Sequence, residues 1–321
     1  MAKIADFSIM LFPWGVKNPS VGEIVEAAKL CERLGFHSVS LPMHLTMPTT
    51  WLFPKFPNRD VLDPLVVLPA MVAATSTIKV GFNSALLPLL PPYEWAKYLA
   101  TLDVMSGGRV IAGVAMGWWE EEFQVAGSEL KARGQMFDEQ LEIITSLWTR
   151  DRTTFQGRHY NLVDAPLEPK PVQKPHPPIW IGGGMKSIKR AARYAEYIVP
   201  FWPTAEQARN KWIPRLREEG AKVGTSPKLG TFTFAYVAGD EGDFQARLPM
   251  LRDCAAFEDP STDPLEIAIA GTPEACARNV KTLEAAGISH FLIDFQFHGL
   301  EPVSFMMEQM ETFVREVVPL L

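Results

Sequence analysis

The amino-acid sequence predicts a (β/α)8 barrel, and three observations carry that expectation. Short apolar runs bounded by turn residues alternate eight times with helix-like segments, the order of a parallel α/β architecture. The runs are rich in Val and Ile with little polar alternation, as suits strands covered on both faces. Glycine-bearing loops follow two of them, Met116-Gly117-Trp118-Trp119 and Gly182-Gly183-Gly184. Barrels carry their functional groups at that carboxyl end. A doubly wound open sheet is the competing arrangement of the same units.

Taken in order, FSIMLF (residues 7–12) is the first strand. Ser20 and Glu23 stand three apart, a capping box for the helix in which Ile24, Ala27, Ala28, Cys31 and Leu34 recur and which Gly35 ends. HSVSL (37–41) is the second strand, running into Pro42-Met43-His44. Residues 46–63 are proline- and aromatic-rich and read as a long loop, a class of segment that is often functional. Residues 64–75 are apolar enough for a buried helix despite Pro69. IKVGF (78–82) is the third strand and continues through Asn83-Ser84-Ala85. A helix over 92–105 breaks at Ser106-Gly107-Gly108, because glycine removes the cost of a positive φ in a sharp reversal. RVIAGVA (109–115) is the fourth strand, and a helix over 133–148 shows Phe137, Leu141, Ile144 and Trp148 on one side. Residues 150–178 form a second excursion. PIWI (178–181) is the fifth strand and leads into GGGMKS and a helix. YIVPF (197–201) is the sixth strand, TFTFAYVA (231–238) the seventh, and residues 239–264 are a variable region. Thr272-Pro273 starts a helix, HFLIDF (290–295) is the eighth strand, and a last helix closes the chain. One domain over 1–321 is expected, with insertions after strands 2, 4 and 7.

Composition narrows the function class. The 321 residues are 47% apolar and 21% charged with a formal net charge of −6, which fits a packed enzyme and disfavours nucleic-acid phosphates. Cys31, Cys254 and Cys276 match no ligand spacing and read as reduced packing residues. The amino terminus lacks the pattern of a signal peptide, and Val61 to Ala74 is too short and proline-broken to span a bilayer, so a cytoplasmic protein without membrane contact is expected. No HExxH pair, His/Asp cluster or GxSxG elbow occurs, so a metal site or a serine hydrolase is not expected.

Four groups of residues could carry chemistry. Gly182, Gly183 and Gly184, with Lys186 and Ser187, expose backbone N–H groups before a helix and suit a phosphate. Arg133 begins a helix, where a cation is disfavoured by the dipole unless an anionic ligand offsets it. His44 follows the second strand and could move a proton near neutral pH, whereas His37 and His290 stand at strand starts and read as structural. Trp14, Trp51, Trp118, Trp119 and Trp202 lie after strands or in the long loop, where they could wall an apolar pocket for a planar group.

LATLDVMSGGRVIAGVAMGWWEEEF, ARGQMFDEQLEIITSLW and PKPVQKPHPPIWIGGG together resemble the bacterial luciferase-like superfamily, nearest to its branch assigned to the deazaflavin F420. The resemblance implies a (β/α)8 barrel, a homodimer, and FMN or F420 at the carboxyl ends of the strands. It places Asn83, Ser84 and Ala85 behind the isoalloxazine ring, where many relatives have a non-proline cis peptide. Gly113, Ala115, Met116 and Gly117 would line the ring or ribityl chain. Arg133 and Gly182 to Ser187 would hold the phosphate, and His44 would stand beside the reactive ring. Two departures matter: Met43 stands where relatives have an acid, and Ala115-Met116 stands where sugar- or pterin-converting relatives place a glutamate. The expected activity is therefore an oxidoreductase on a small apolar or aromatic substrate, by hydride transfer with F420 or monooxygenation with FMN supplied by a separate flavin or F420 reductase. Trp14, Met43, Trp51, Trp118 and Trp202 would form the substrate pocket. The alternative is a catalytically idle flavin-binding barrel.

Overall fold

In the computed structural model of the chain, which describes residues 3–11, 20–46, 61–255, 263–296 and 301–321, eight parallel strands close on themselves. They are β1 (Phe7–Met10), β2 (Ser38–Leu41), β3 (Lys79–Phe82), β4 (Val110–Ala115), β5 (Ile179–Gly182), β6 (Tyr197–Val199), β7 (Lys228–Val237) and β8 (Ile288–Asp294). Each pairs with the next in chain order, and β8 returns to β1 through Phe7 opposite Phe291. Closure excludes the open sheet and leaves the barrel without a free edge.

Local chemistry explains why the elements start and stop where they do. The helix Val21–Leu34 is capped by Ser20, whose Oγ accepts from the Glu23 N–H, and Gly35 ends it at φ 84°. The helix Pro64–Ala74 starts with Asp63 accepting from the Leu65 N–H and Pro64 in its first turn, and it accommodates Pro69. The helix Pro92–Ser106 stops at Gly107, with φ 67°. Thr272 sits at the N-cap of the helix Pro273–Ala285, but its hydroxyl makes no capping bond.

Alternation along the strands sorts the side chains into two cores. Phe7, Ile9, Val39, Val80, Val110, Val114, Ile181, Phe291 and Ile293 face the helices. They meet Trp95, Leu99, Phe137, Leu141, Met310 and Phe313 there, each burial worth about 1.5–3 kcal/mol. Met10, Ile111, Trp119, Trp180, Tyr197, Val199, Phe232 and Leu292 form a second cluster, which fills the barrel.

The excursion 150–178 contains an antiparallel hairpin, Arg152–Gln156 with Asn161–Pro166, that the proline content hid. The described part of the variable region 239–264 is largely helical, Glu241–Ala255, and a short strand Ile269–Gly271 then pairs with the outer half of β7. Most of the loop 46–63, together with Trp14, Trp51, Cys254's side chain and His298, lies outside what the structure describes. Among the described residues no helix is long and apolar enough to cross a membrane.

Candidate active site

Along the arc formed by the carboxyl ends of β3, β4 and β5 the inward positions carry almost no side chain. Gly81, Gly113, Ala115 and Gly182 share that face. A Cβ on Gly113 would run into the Phe82 carbonyl, so this glycine also permits close strand approach. A Cβ on Gly182 would lie 2.7 Å from Ser84 Oγ and 3.6 Å from the Ala115 Cβ, which brings three sequence-expected residues to one spot. The Asn83–Ser84 peptide is cis. Asn83 Nδ2 reaches Met10 Sδ at 3.5 Å, fixing the amide at the floor of the arc. Met116 is half-buried against the outer core, and Gly117 turns the chain at φ 74° with its α-carbon against the Phe123 ring.

Beyond β5, Gly183 adopts φ 136° and its α-carbon faces Ser187, where a Cβ would sit 2.8 Å from Oγ. Around Gly184 a Cβ would meet nothing within 4 Å, so the loop is open there. Ser187 is fully buried, and its Oγ has no hydrogen-bond partner among the described residues. Arg133 donates through Nη1 to the Leu130 carbonyl at 2.7 Å, while its buried Nε has no partner among the described residues. Arg190 ties the two helix starts together, donating to Asp138 at 2.5 and 2.8 Å and to the Gly134 carbonyl at 3.1 Å. A buried donor without a partner costs about 1–3 kcal/mol, which an anion accepting from both groups would recover. Lys186 lies on the same short turn and is exposed.

His44 leaves β2 and meets a residue absent from the sequence expectation. Its Nδ1 lies 3.1 Å from Oε1 of Glu122, which is fully buried and also accepts from the Leu45 N–H at 2.8 Å. A carboxylate oxygen only accepts, so His44 Nδ1 is the donor of this bond. Glu122 Oε2 has no partner among the described residues. The Trp119 indole stands edge-on to His44 at 5.6 Å and stacks on Trp118 at 5.1 Å. The Glu120-Glu121-Glu122 run after strand four is a sequence signal for a carboxylate here, but nothing local says which of the three turns inward.

The aromatic residues divide. Trp202 lies against Phe234 at 5.3 Å at the end of β6, while Trp118 is exposed over Trp119. Met43, by contrast, is buried in the outer core against the helices, so its side chain is a packing group and not a wall of the barrel mouth. The outward direction of its position, set by strand alternation, is the reason.

A family model for luciferase-like monooxygenases matches residues 8–261. Over 92% of its length the chain is 26% identical to an FMNH2-dependent dimethylsulfone monooxygenase of Pseudomonas putida, spanning 86% of that protein. It is 36% identical over 53% of its length to an uncharacterized protein of Mycobacterium tuberculosis, spanning 64% of it. Among solved structures, a monooxygenase from Streptomyces bottropensis superposes with a TM-score of 0.81 at 22% identity, over 98% of this chain and 99% of that one. An F420-dependent secondary alcohol dehydrogenase gives 0.81 at 21%, over 98% of each chain. At those identities the structural likeness is one of fold. The chain belongs to the luciferase-like monooxygenase family.

Proposed function

We propose that this chain is an oxidoreductase that binds FMN or F420 at the β3–β5 arc and acts on a small apolar or aromatic substrate. The observation that carries the reading is the pair of buried donors without partners among the described residues, Ser187 Oγ and Arg133 Nε, at the helix starts that follow the glycine-rich arc. The groups fit a planar ring with a phosphate tail. Gly182, Ala115 and the Asn83–Ser84 edge leave room for a ring, and Gly183, Gly184, Ser187 and Arg133 would hold the phosphate. Reduced FMN is the cofactor to test first, because the relative matched along most of the chain is FMNH2-dependent. F420 is the second, on the sequence resemblance.

When bound, such a cofactor supplies hydride transfer or, with reduced FMN, dioxygen activation. The chain's own part is to orient, exclude water and handle a proton. Glu122 holds His44 in one tautomer, and the imidazole at Nε2 accepts or returns a proton at the substrate. Trp119 covers the imidazole on one side and keeps it away from bulk water. If FMN is the cofactor, a separate reductase supplies its reduced form. A homodimer is the expected assembly.

Titration of the purified chain with FMN and with F420, followed through tryptophan fluorescence, tests this reading. Saturable quenching by one of them is expected. Binding of neither sinks the reading. Turnover that persists undiminished in His44→Ala would instead remove the histidine from the chemistry, and a wild type that binds cofactor but turns nothing over would favour an idle flavin-binding barrel.

A further inference from the structure

The arc of the mouth formed by β6, β7 and β8 is built differently from the cofactor arc. Trp202 has φ 45°, a region that bulky L-residues rarely occupy, so the surrounding chain commits backbone conformation to holding this indole in place. Its backbone N–H donates to the Phe232 carbonyl at 3.1 Å, and its ring packs on Phe234. Phe234 is half-buried and pairs in register with Asp294, so the two side chains share the inward face. Asp294 is 1% exposed and ends β8, with apolar Phe291, Leu292 and Ile293 before it. Its Oδ1 accepts from the Gln296 N–H at 2.8 Å, while Oδ2 has no partner among the described residues. Among the described residues, the cations Arg133 and Lys186 stand on the cofactor side. Arg247, toward β7, is tied to Glu301 at 3.2 Å and stacked over Tyr236 and Phe305.

Building on the proposed function, we propose that Trp202, Phe234 and Asp294 form the substrate seat and select an uncharged, flat, apolar molecule with one hydrogen-bond acceptor, such as a ketone oxygen. An anion would find no counter-charge among the described residues of this arc. Burial, with Glu301 adding to it against the opposing Gln296 N–H, holds the Asp294 carboxyl well above the usual carboxylate range, so near neutrality it keeps its proton. With Oδ1 accepting, that proton is on Oδ2. Oδ2 is buried, so an acceptor that reaches it meets no competing hydration there.

The test is calorimetric titration of the intact, cofactor-loaded chain with acetophenone, benzoate and ethylbenzene. These probes share a ring and differ in charge and in the acceptor. Acetophenone is expected to bind at least about tenfold more tightly than benzoate. Asp294→Leu should weaken acetophenone about tenfold and leave ethylbenzene unchanged, while Asp294→Asn, which keeps a neutral donor, should stay within about threefold of wild type. Trp202→Gly tolerates the positive φ and deletes the wall, so both neutral probes should weaken together. Benzoate binding as tightly as acetophenone overturns the proposal, as does failure of both neutral probes to bind, or Asp294→Leu and Asp294→Asn behaving alike. Should Asp294→Leu not fold, Trp202→Gly and the charge preference still decide. Cofactor titrations on the same proteins separate the two readings. A wild type that binds neither FMN nor F420 defeats the oxidoreductase reading, whereas intact cofactor binding with indiscriminate probe binding defeats only the substrate seat.

Discussion

At the amino end of the barrel interior, Ser8 Oγ lies 2.7 Å from His290 Nε2 and 3.4 Å from His37 Nδ1, and Ser38 Oγ donates to it at 2.7 Å. Lys79 Nζ donates to His37 Nε2 at 3.2 Å, so the chain of bonds runs one way, from lysine to His37 to Ser8 to His290, with both imidazoles neutral. At the carboxyl end of the same strands and the loops that follow them, Ser187 Oγ, Arg133 Nε, Glu122 Oε2 and Asp294 Oδ2 are buried without partners among the described residues. One end therefore has its polar groups matched within the chain and contributes stability. The other leaves donors and acceptors for something that the chain does not supply. Among the described residues Trp180 is an exception at the amino end: its ring stacks on His37 at 5.6 Å while its Nε1 has no hydrogen-bond partner there. Neither the stacking nor its neighbours explains that nitrogen.

Substitutions at the two ends should separate activity from stability, and the largest effect belongs to the carboxyl end. His44→Ala should lower turnover by about 10²–10⁴-fold with little change in melting temperature. Glu122→Gln should lower it less and shift the pH–rate profile, because the amide no longer fixes the imidazole tautomer. A parallel fall in melting temperature would make the pair structural. At the amino end the pattern should reverse. His290→Leu removes the acceptor of the Ser8 hydroxyl proton and should cost about 2–4 kcal/mol in denaturant unfolding while cofactor affinity is kept.

The same network predicts an acid limb. Burial, then Lys79, lowers His37 to about 4, and burial lowers His290 well below its ordinary value. The folded state binds these protons less readily than the unfolded chain. The stabilisation is thus complete above about pH 6.5 and is lost as pH falls from 6.5 through about 4. For His37 the loss is on the order of 2 to 3 kcal/mol, read from denaturation midpoints against pH. A flat profile between pH 6.5 and 4 would show that the imidazoles are not held neutral. The smallest expected effect is the sharpest test of the contrast. Ser187→Ala removes a buried hydroxyl with no partner, so stability should hold within about 0.5 kcal/mol or rise, while cofactor affinity falls about tenfold. Lost stability with unchanged affinity would place the serine with the amino-end groups.

How much of this was legible beforehand differs by element. The eight strands and their helices follow from local periodicity and from turn residues such as Gly35 and Gly107, which act within a few positions of themselves. The hairpin over 152–166 was not legible, because its pairing is antiparallel within a proline-rich segment whose strands bury little on either face. Met43 reads from sequence as a pocket residue, yet the strand phase turns it outward. By itself the sequence determined the alternation, the glycine arc after β4 and β5, and the candidate roles of His44, Arg133 and Ser187, because each depends on near neighbours in the chain. Only the tertiary structure decided that Glu122 meets His44 from 78 positions away, that Asp294 stands beside Phe234, and that the amino-end imidazoles share Ser8. Those pairings depend on which strands lie side by side once the barrel closes, and no local pattern encodes that closure.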